Sequence, residues 1–145
     1  MFQHILLPTD GSSASDDAIK KCMRFAKEAG ARVTGFHVTP EYHLFTYRAD
    51  VLEDTKEQFK HACEVHAATY LAVIENAARE AGVPCDVAFA SSDHPYEAII
   101  EAAKEHRCDL IAMASHGRKG MKGILMGSET HKVLTHSQIP VLVYR

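Results

Sequence analysis

Four of the eight glycines in the chain, Gly117, Gly120, Gly123 and Gly127, fall within residues 114–130, ASHGRKGMKGILMGSET. Glycine lacks a Cβ, so its main chain can approach a ligand closely and adopt left-handed conformations. Successive N–H groups in such a loop can form a nest that holds an anion. A helix opening at Gly127-Ser128 adds unpaired N–H groups and the positive end of its dipole. Arg118, Lys119 and Lys122 place cations beside them in a chain of net charge -3. Together these residue types suit the grip of a polyphosphate. A flexible, solvated loop, with Ser128 as a plain N-cap, is the alternative reading of the same residues. The stretch is no P-loop, since G-x-x-x-x-G-K-[ST] is absent. G-R-K-G-M-K-G is not G-x-G-x-x-G, and it follows the fourth predicted strand rather than the first, against a dinucleotide fingerprint.

A second segment with chemistry is Pro8-Thr9-Asp10-Gly11-Ser12-Ser13. A carboxylate beside a polyphosphate repels it unless it faces a ribose hydroxyl, an adenine amino group or a metal. Asp10 is therefore a recognition group for a nucleoside, or else a group that hydrogen-bonds the backbone of its own turn.

Both segments need a frame, and the apolar pattern supplies one. Residues 3–8 predict a short strand, and the TDGSSASDDA run supplies turn and cap signals, with Ser13 and Asp16 spaced as a capping box. Ile19, Cys22, Met23, Ala26 and Ala29 recur at helical spacing, and Gly30 stops that helix. ARVTGFHV predicts a second strand, followed by an aperiodic stretch over 40–54 of the kind used as lids or binding loops. A long helix is expected over 54–81 along Phe59, Cys63, Ala67, Tyr70, Leu71, Ile74, Ala78 and Ala81. VPCDVAFA is a third strand, a helix from Pro95 runs to about Arg107, and CDLIAMA is a fourth strand. After the glycine stretch come a helix from Ser128 and a last strand, IPVLVYR. Strands alternating with helices argue for one α/β domain over 1–145, with a parallel sheet covered on both faces. In such sheets ligands lie beyond the carboxyl ends of the strands, where the winding reverses. If strands one and four are neighbours, the two chemical segments border one crevice.

Composition narrows the classes. At 46% hydrophobic and 24% charged, the chain has the balance of a globular domain. Its mild acidity gives no field to draw nucleic acid or anionic lipid. No apolar run reaches the roughly 20 residues that span a bilayer, and MFQHILLPTD lacks the parts of a signal peptide. Cys22, Cys63, Cys85 and Cys108 contain no C-x-x-C and read as reduced thiols of a cytoplasmic protein. None of the ten histidines pairs at i,i+3 or i,i+4, so no dedicated zinc site is expected, although distant ligands can converge.

LLPTDGS, HVTP, MASHGRKGMKGILMGS and IPVLVYR together closely resemble the universal stress protein family, from the first strand to the last. The nucleotide-binding branch of that family carries G-x2-G-x9-G-[ST]. Gly117, Gly127 and Ser128 fit it at intact spacing, while Ala114 stands where the first glycine is expected.

The resemblance implies a five-stranded parallel sheet of order 3-2-1-4-5, of the adenine-nucleotide alpha hydrolase-like type, that binds ATP, with or without Mg²⁺. It implies that Pro8, Thr9 and Asp10 border the adenosine and that Val38 lies against adenine. Met113 and Ala114 would line the base or sugar. Gly117, Gly127, Ser128, Glu129 and Thr130 would hold the phosphates, chiefly through N–H groups, with the Glu129 carboxylate turned away. It further implies a homodimer joined through the last strand, and an apolar edge such as VLVYR invites such pairing. The resulting expectation is a cytoplasmic, ATP-binding, homodimeric stress-response sensor or regulator, acting on a protein partner the sequence does not specify. Its competitors are a dimeric interaction protein without nucleotide, and a slow ATPase in which Asp10 ligates Mg²⁺ and His116 acts as base. No nucleophile elbow or paired carboxylate supports efficient catalysis.

Overall fold

The structure, a computed structural model, describes residues 1–43, 52–116 and 126–145. Its elements are β1 (His4–Pro8), α1 (Ser13–Ala29), β2 (Arg32–Thr39), α2 (Leu52–Ala81), β3 (Cys85–Ser91), α3 (Pro95–Glu105), β4 (Leu110–Ala114), α4 (Ser128–His136) and β5 (Val141–Tyr144). All strand pairs are parallel, and the sheet order is β3-β2-β1-β4-β5. This is the order implied by the resemblance, and it makes β1 and β4 neighbours.

The pleat sorts the apolar residues into two cores. Ile5 and Leu7 of β1, Val33 of β2 and Leu110 and Ala112 of β4 face α1 and α2, where Ile19, Cys22, Met23, Ala26, Leu71, Ile74 and Ala78 meet them. Leu6, Phe36, Ile111 and Met113 face the opposite side and pack with Ile99, Ile100 and Ala103 of α3 and Val133 of α4. Adjacent residues on β1 and β4 thus serve different layers. This is why these strands read as continuous apolar runs rather than as alternation. Gly35 is bare because Ile74 occupies its place: a Cβ there would lie 2.9 Å from two Ile74 carbons.

The helix termini refine the sequence reading. The N-cap of α1 is Ser12, not Ser13: the Ser12 hydroxyl accepts from the Ser15 N–H at 3.2 Å. Ser13 is the first helical residue, because Asp10 organises the turn one residue earlier than a Ser13–Asp16 box requires. Gly30 closes α1 in the left-handed region at φ 66°, as expected. The helix α2 starts at Leu52 and so takes in the end of the stretch read as aperiodic. The helix α3 stops at Glu105, just short of Arg107, which has φ 56°. Among the described residues no helix is long and apolar enough to cross a membrane.

Candidate functional site

β1 ends at Pro8, and the chain beyond it is held at several points. The Thr9 N–H donates to the Phe36 carbonyl at 2.8 Å, carrying the β1–β2 ladder one residue further. The buried His37 donates from Nδ1 to the Thr9 carbonyl at 2.8 Å. The Thr9 hydroxyl accepts from the Gly11 N–H at 3.1 Å. Asp10 then uses Oδ1 to accept from the Ser12 N–H and from the Ser15 hydroxyl, both at 2.9 Å. One oxygen of Asp10 therefore does what the turn reading expected, and the half-buried carboxylate is fixed in direction. Gly11, at φ 79°, makes the corner.

Across the β1–β4 boundary the register pairs Ile5 with Leu110 and Leu6 with Ile111. Carried forward, it sets Thr9 beside the end of β4. There Met113 is buried in the α3/α4 core and Ala114 is half-buried. The Ala114 carbonyl accepts from the Thr130 hydroxyl at 2.9 Å. The Ser115 N–H donates to the Tyr144 carbonyl at 2.7 Å, and the Ser115 carbonyl accepts from the Gly127 N–H. These ties bring the start of α4 back against the end of β4. The Gly127 amide donates to Ser115. The N–H groups that open α4 are those of Ser128, Glu129 and Thr130, the first-turn donors that a helix cannot satisfy internally. Among the described residues none of them has an acceptor. Gly127 is the N-cap at φ -67° and ψ 154° and has no side chain to cap with. Ser128 is exposed and Thr130 buried.

The Glu129 carboxylate is engaged elsewhere. Its Oε2 accepts from the Tyr96 N–H at 2.9 Å, closing the first turn of α3, and its Oε1 lies 3.3 Å from Lys132 Nζ. It thus leaves the α4 donors unobstructed. Val38 is half-buried against the α3/α4 core, at the carboxyl end of β2. His116 Nδ1 lies 3.0 Å from the Ser115 hydroxyl. Gly117, Arg118, Lys119, Gly120, Lys122 and Gly123 lie outside the described residues, as does most of the 40–53 stretch.

Sequence reasoning gave no role at this site to His37, Tyr70 or Ser15, and Tyr70 entered it only as a position on the long helix. His37 is one residue of the predicted second strand, ARVTGFHV. Its partner is a backbone carbonyl, which leaves no mark on residue type.

The structure also brings together a group that sequence spacing could not reveal. Glu41, His43 and Asp93 place ligand atoms within 4.8 Å of one another on the exposed rim beyond β2 and β3. His43 and Asp93 already contact each other directly, and Asp93 Oδ1 accepts from the Glu41 N–H at 3.3 Å. Desolvation opposes ionisation of Asp93, but the hydrogen bonds from His43 and the Glu41 amide hold its carboxyl below the ordinary value. Two concavities lie apart from the β1–β4 crevice. A groove of about 420 Å³ runs between α1 and α2, and a cavity of about 240 Å³ lies between Thr39, Tyr42, Phe59 and Phe89. The four thiols are unpaired, and burial pushes Cys22 and Cys108 up to about 12, which keeps them protonated.

Residues 1–145, the whole chain, match the profile of the universal stress protein family. The chain belongs to this family. Universal stress protein YxiE of Bacillus subtilis is 32% identical over 149 residues, with both chains fully covered. Universal stress protein MJ0577 of Methanocaldococcus jannaschii is 30% identical over 161 residues, covering 100% of this chain and 96% of that one. The solved structure of MJ0577 superposes with a TM-score of 0.83 over 99% of this chain and 95% of that chain. Two more distant universal stress proteins share the fold. One is in complex with cAMP, at 23% identity and a TM-score of 0.72 over 99% of this chain and 97% of its own. The other, from Archaeoglobus fulgidus, is in complex with dAMP, at 15% identity and a TM-score of 0.64 over 100% of this chain and 98% of its own.

Proposed function

We propose that this universal stress protein binds ATP in the crevice between the carboxyl ends of β1 and β4, with its phosphates on the start of α4. The observation that carries the reading is the set of N–H groups of Ser128, Glu129 and Thr130, which have no acceptor among the described residues and are brought back against β4 by the Thr130–Ala114 and Gly127–Ser115 hydrogen bonds. Such donors, aligned with a helix dipole, favour an anion. The turn at Pro8, Thr9 and Asp10 stands at the neighbouring strand end and would receive the nucleoside. Asp10 would face ribose or adenine, Val38 would flank the base, and Met113 and Ala114 the sugar side. Gly117 would complete the phosphate cradle, and Mg²⁺ would accompany the phosphates. The cAMP and dAMP complexes of the two structural relatives support the class of ligand.

In this reading the protein is a cytoplasmic nucleotide-dependent regulator rather than an efficient catalyst. Two copies would join through β5, which pairs with β4 on one side and, among the described residues, has no strand on the other. Its four residues are only half-buried in the single chain, so pairing of two such edges would cover them.

A fluorescent adenine nucleotide titrated into nucleotide-free protein tests the reading. It should bind saturably, be displaced by ATP, and resist displacement by GTP at the same concentration. Equal displacement by GTP would overturn the assignment of an adenine pocket.

A further inference from the structure

We propose that His37 and Tyr70 are positioning residues that set where the Asp10 carboxylate stands, and so determine how much the nucleoside contributes to binding. The inference rests on the reading of the crevice as a nucleotide site, but its geometry stands independently. The Thr9 carbonyl belongs to the peptide unit that joins Thr9 to Asp10. His37 Nδ1 holds that oxygen at 2.8 Å from the α2 face of the sheet, while the Thr9 N–H is held on the ladder by Phe36 at 2.8 Å. With both ends of Thr9 tied, the peptide plane leading into Asp10 cannot rotate without breaking a buried hydrogen bond. Without the imidazole, the Thr9 carbonyl loses this partner and gains freedom to swing, and the Asp10 Cα moves with it.

Tyr70 secures the other side of Asp10. Its ring fills the volume that a side chain on Gly11 would need: a Cβ there would lie 2.4 Å from Cε1 and 2.6 Å from Cδ1 and Cζ. The same ring meets His37 edge-on, with centroids 5.1 Å apart and planes at 71°. It also stacks with His66, one helical turn earlier, at 6.1 Å and 24°. One imidazole and one phenol from different elements therefore bracket the residues before and after Asp10. The Ser12 N–H, which donates to Asp10 Oδ1 at 2.9 Å, reports directly on whether the carboxylate is in place.

Two measurements on the full chain test this. The first is the ratio of dissociation constants for inorganic tripolyphosphate and ATP, which isolates the nucleoside's share. The second is hydrogen exchange of the Ser12 amide in the ligand-free protein. In His37→Phe the ratio should fall about tenfold, with tripolyphosphate affinity unchanged. Ser12 should exchange about tenfold faster. His37→Asn, whose carboxamide can donate to the same carbonyl, should restore both. A general loss of structure would instead weaken tripolyphosphate equally. Tyr70→Ala should move both readouts in the same direction and serves if His37→Phe does not fold. Unchanged Ser12 exchange in both variants would overturn the positioning role. Faster exchange with an unchanged ratio would overturn its link to recognition. If wild-type protein bound neither ATP nor tripolyphosphate, the nucleotide reading would fall, and Ser12 exchange would still decide the positioning role.

Discussion

The two ends of the sheet contain similar polar chemistry and treat it in opposite ways. At the amino end, Arg32 donates to His4 Nδ1 at 3.2 Å, His4 Nε2 lies 2.7 Å from the Thr34 hydroxyl, and that hydroxyl donates to Asp86 at 2.6 Å. Because the guanidinium can only donate, Nδ1 must accept, so Nε2 carries the proton and His4 is neutral. Asp109 accepts from the Gln3 and His4 N–H groups at 2.8 and 3.0 Å and ties the start of β1 to β4. Donors and acceptors there answer one another within the protein. At the carboxyl end the first donors of α4 have no acceptor among the described residues, and the turn around Asp10 is anchored from behind. On the proposed reading, the amino end serves stability and the carboxyl end serves a ligand. Perturbing the first should reduce stability and spare binding; perturbing the second should do the reverse.

Gly11→Ala should have the largest effect because it breaks this separation. It combines left-handed strain at φ 79° with a clash against Tyr70. A loss of about 3 kcal/mol in urea unfolding is expected, together with loss of ATP binding. Adding Tyr70→Ala should recover only the steric part of the stability. Next comes Thr34→Val, which deprives the buried His4 Nε2–H of its acceptor. It should lower stability by about 2 kcal/mol and leave ATP affinity within about twofold of wild type.

Ser128→Pro sharpens the opposite half of the comparison. Proline is favoured as the first residue of a helix, and the extended Gly127 before it, at ψ 154°, accommodates it. Stability should stay within about 0.5 kcal/mol, while ATP binding weakens about tenfold through loss of one N–H and the hydroxyl.

The smallest expected effect is a pH dependence at the amino end. Burial first, and then the Arg32 guanidinium, push His4 below its ordinary value of 6.5, with Asp86 and Asp109 only partly opposing them. Below 6.5 the unfolded chain therefore takes up a proton that the native chain resists. The stability due to neutral His4 is complete above that pH and is lost as pH falls toward the native value. His4→Gln, which does not titrate, should lose less stability than wild type between about pH 7.5 and about pH 5. Urea midpoints at both pH values check this.

Much of the fold was legible because periodicity and terminators are local. The runs at Ile5–Leu7 and Leu110–Met113, the 3.6-residue spacing of α1 and its stop at Gly30 are all written in residue types. The strand order came from resemblance, since parallel strands pair through backbone groups common to every residue. At the site, the glycine-serine pair and the Asp10 turn were legible for the same local reason. His37 and Tyr70 were not, because their partners are a carbonyl and a bare Cα brought near by tertiary contact. The cap fell on Ser12 rather than Ser13 because Asp10 engages the turn first, a competition between neighbouring side chains that spacing does not resolve. The commitment of the Gly127 amide to Ser115 was hidden in the same way.

The proposed binding depends most on the α4 amides that have no acceptor among the described residues. Isothermal calorimetry of nucleotide-free protein with ATP and magnesium tests them directly when run beside Ser128→Pro. The prediction is saturable heat at one ATP per chain for wild type, and a clear loss of affinity in an equally stable variant. Absence of binding at millimolar ATP, or equal affinity in the two proteins, would contradict it.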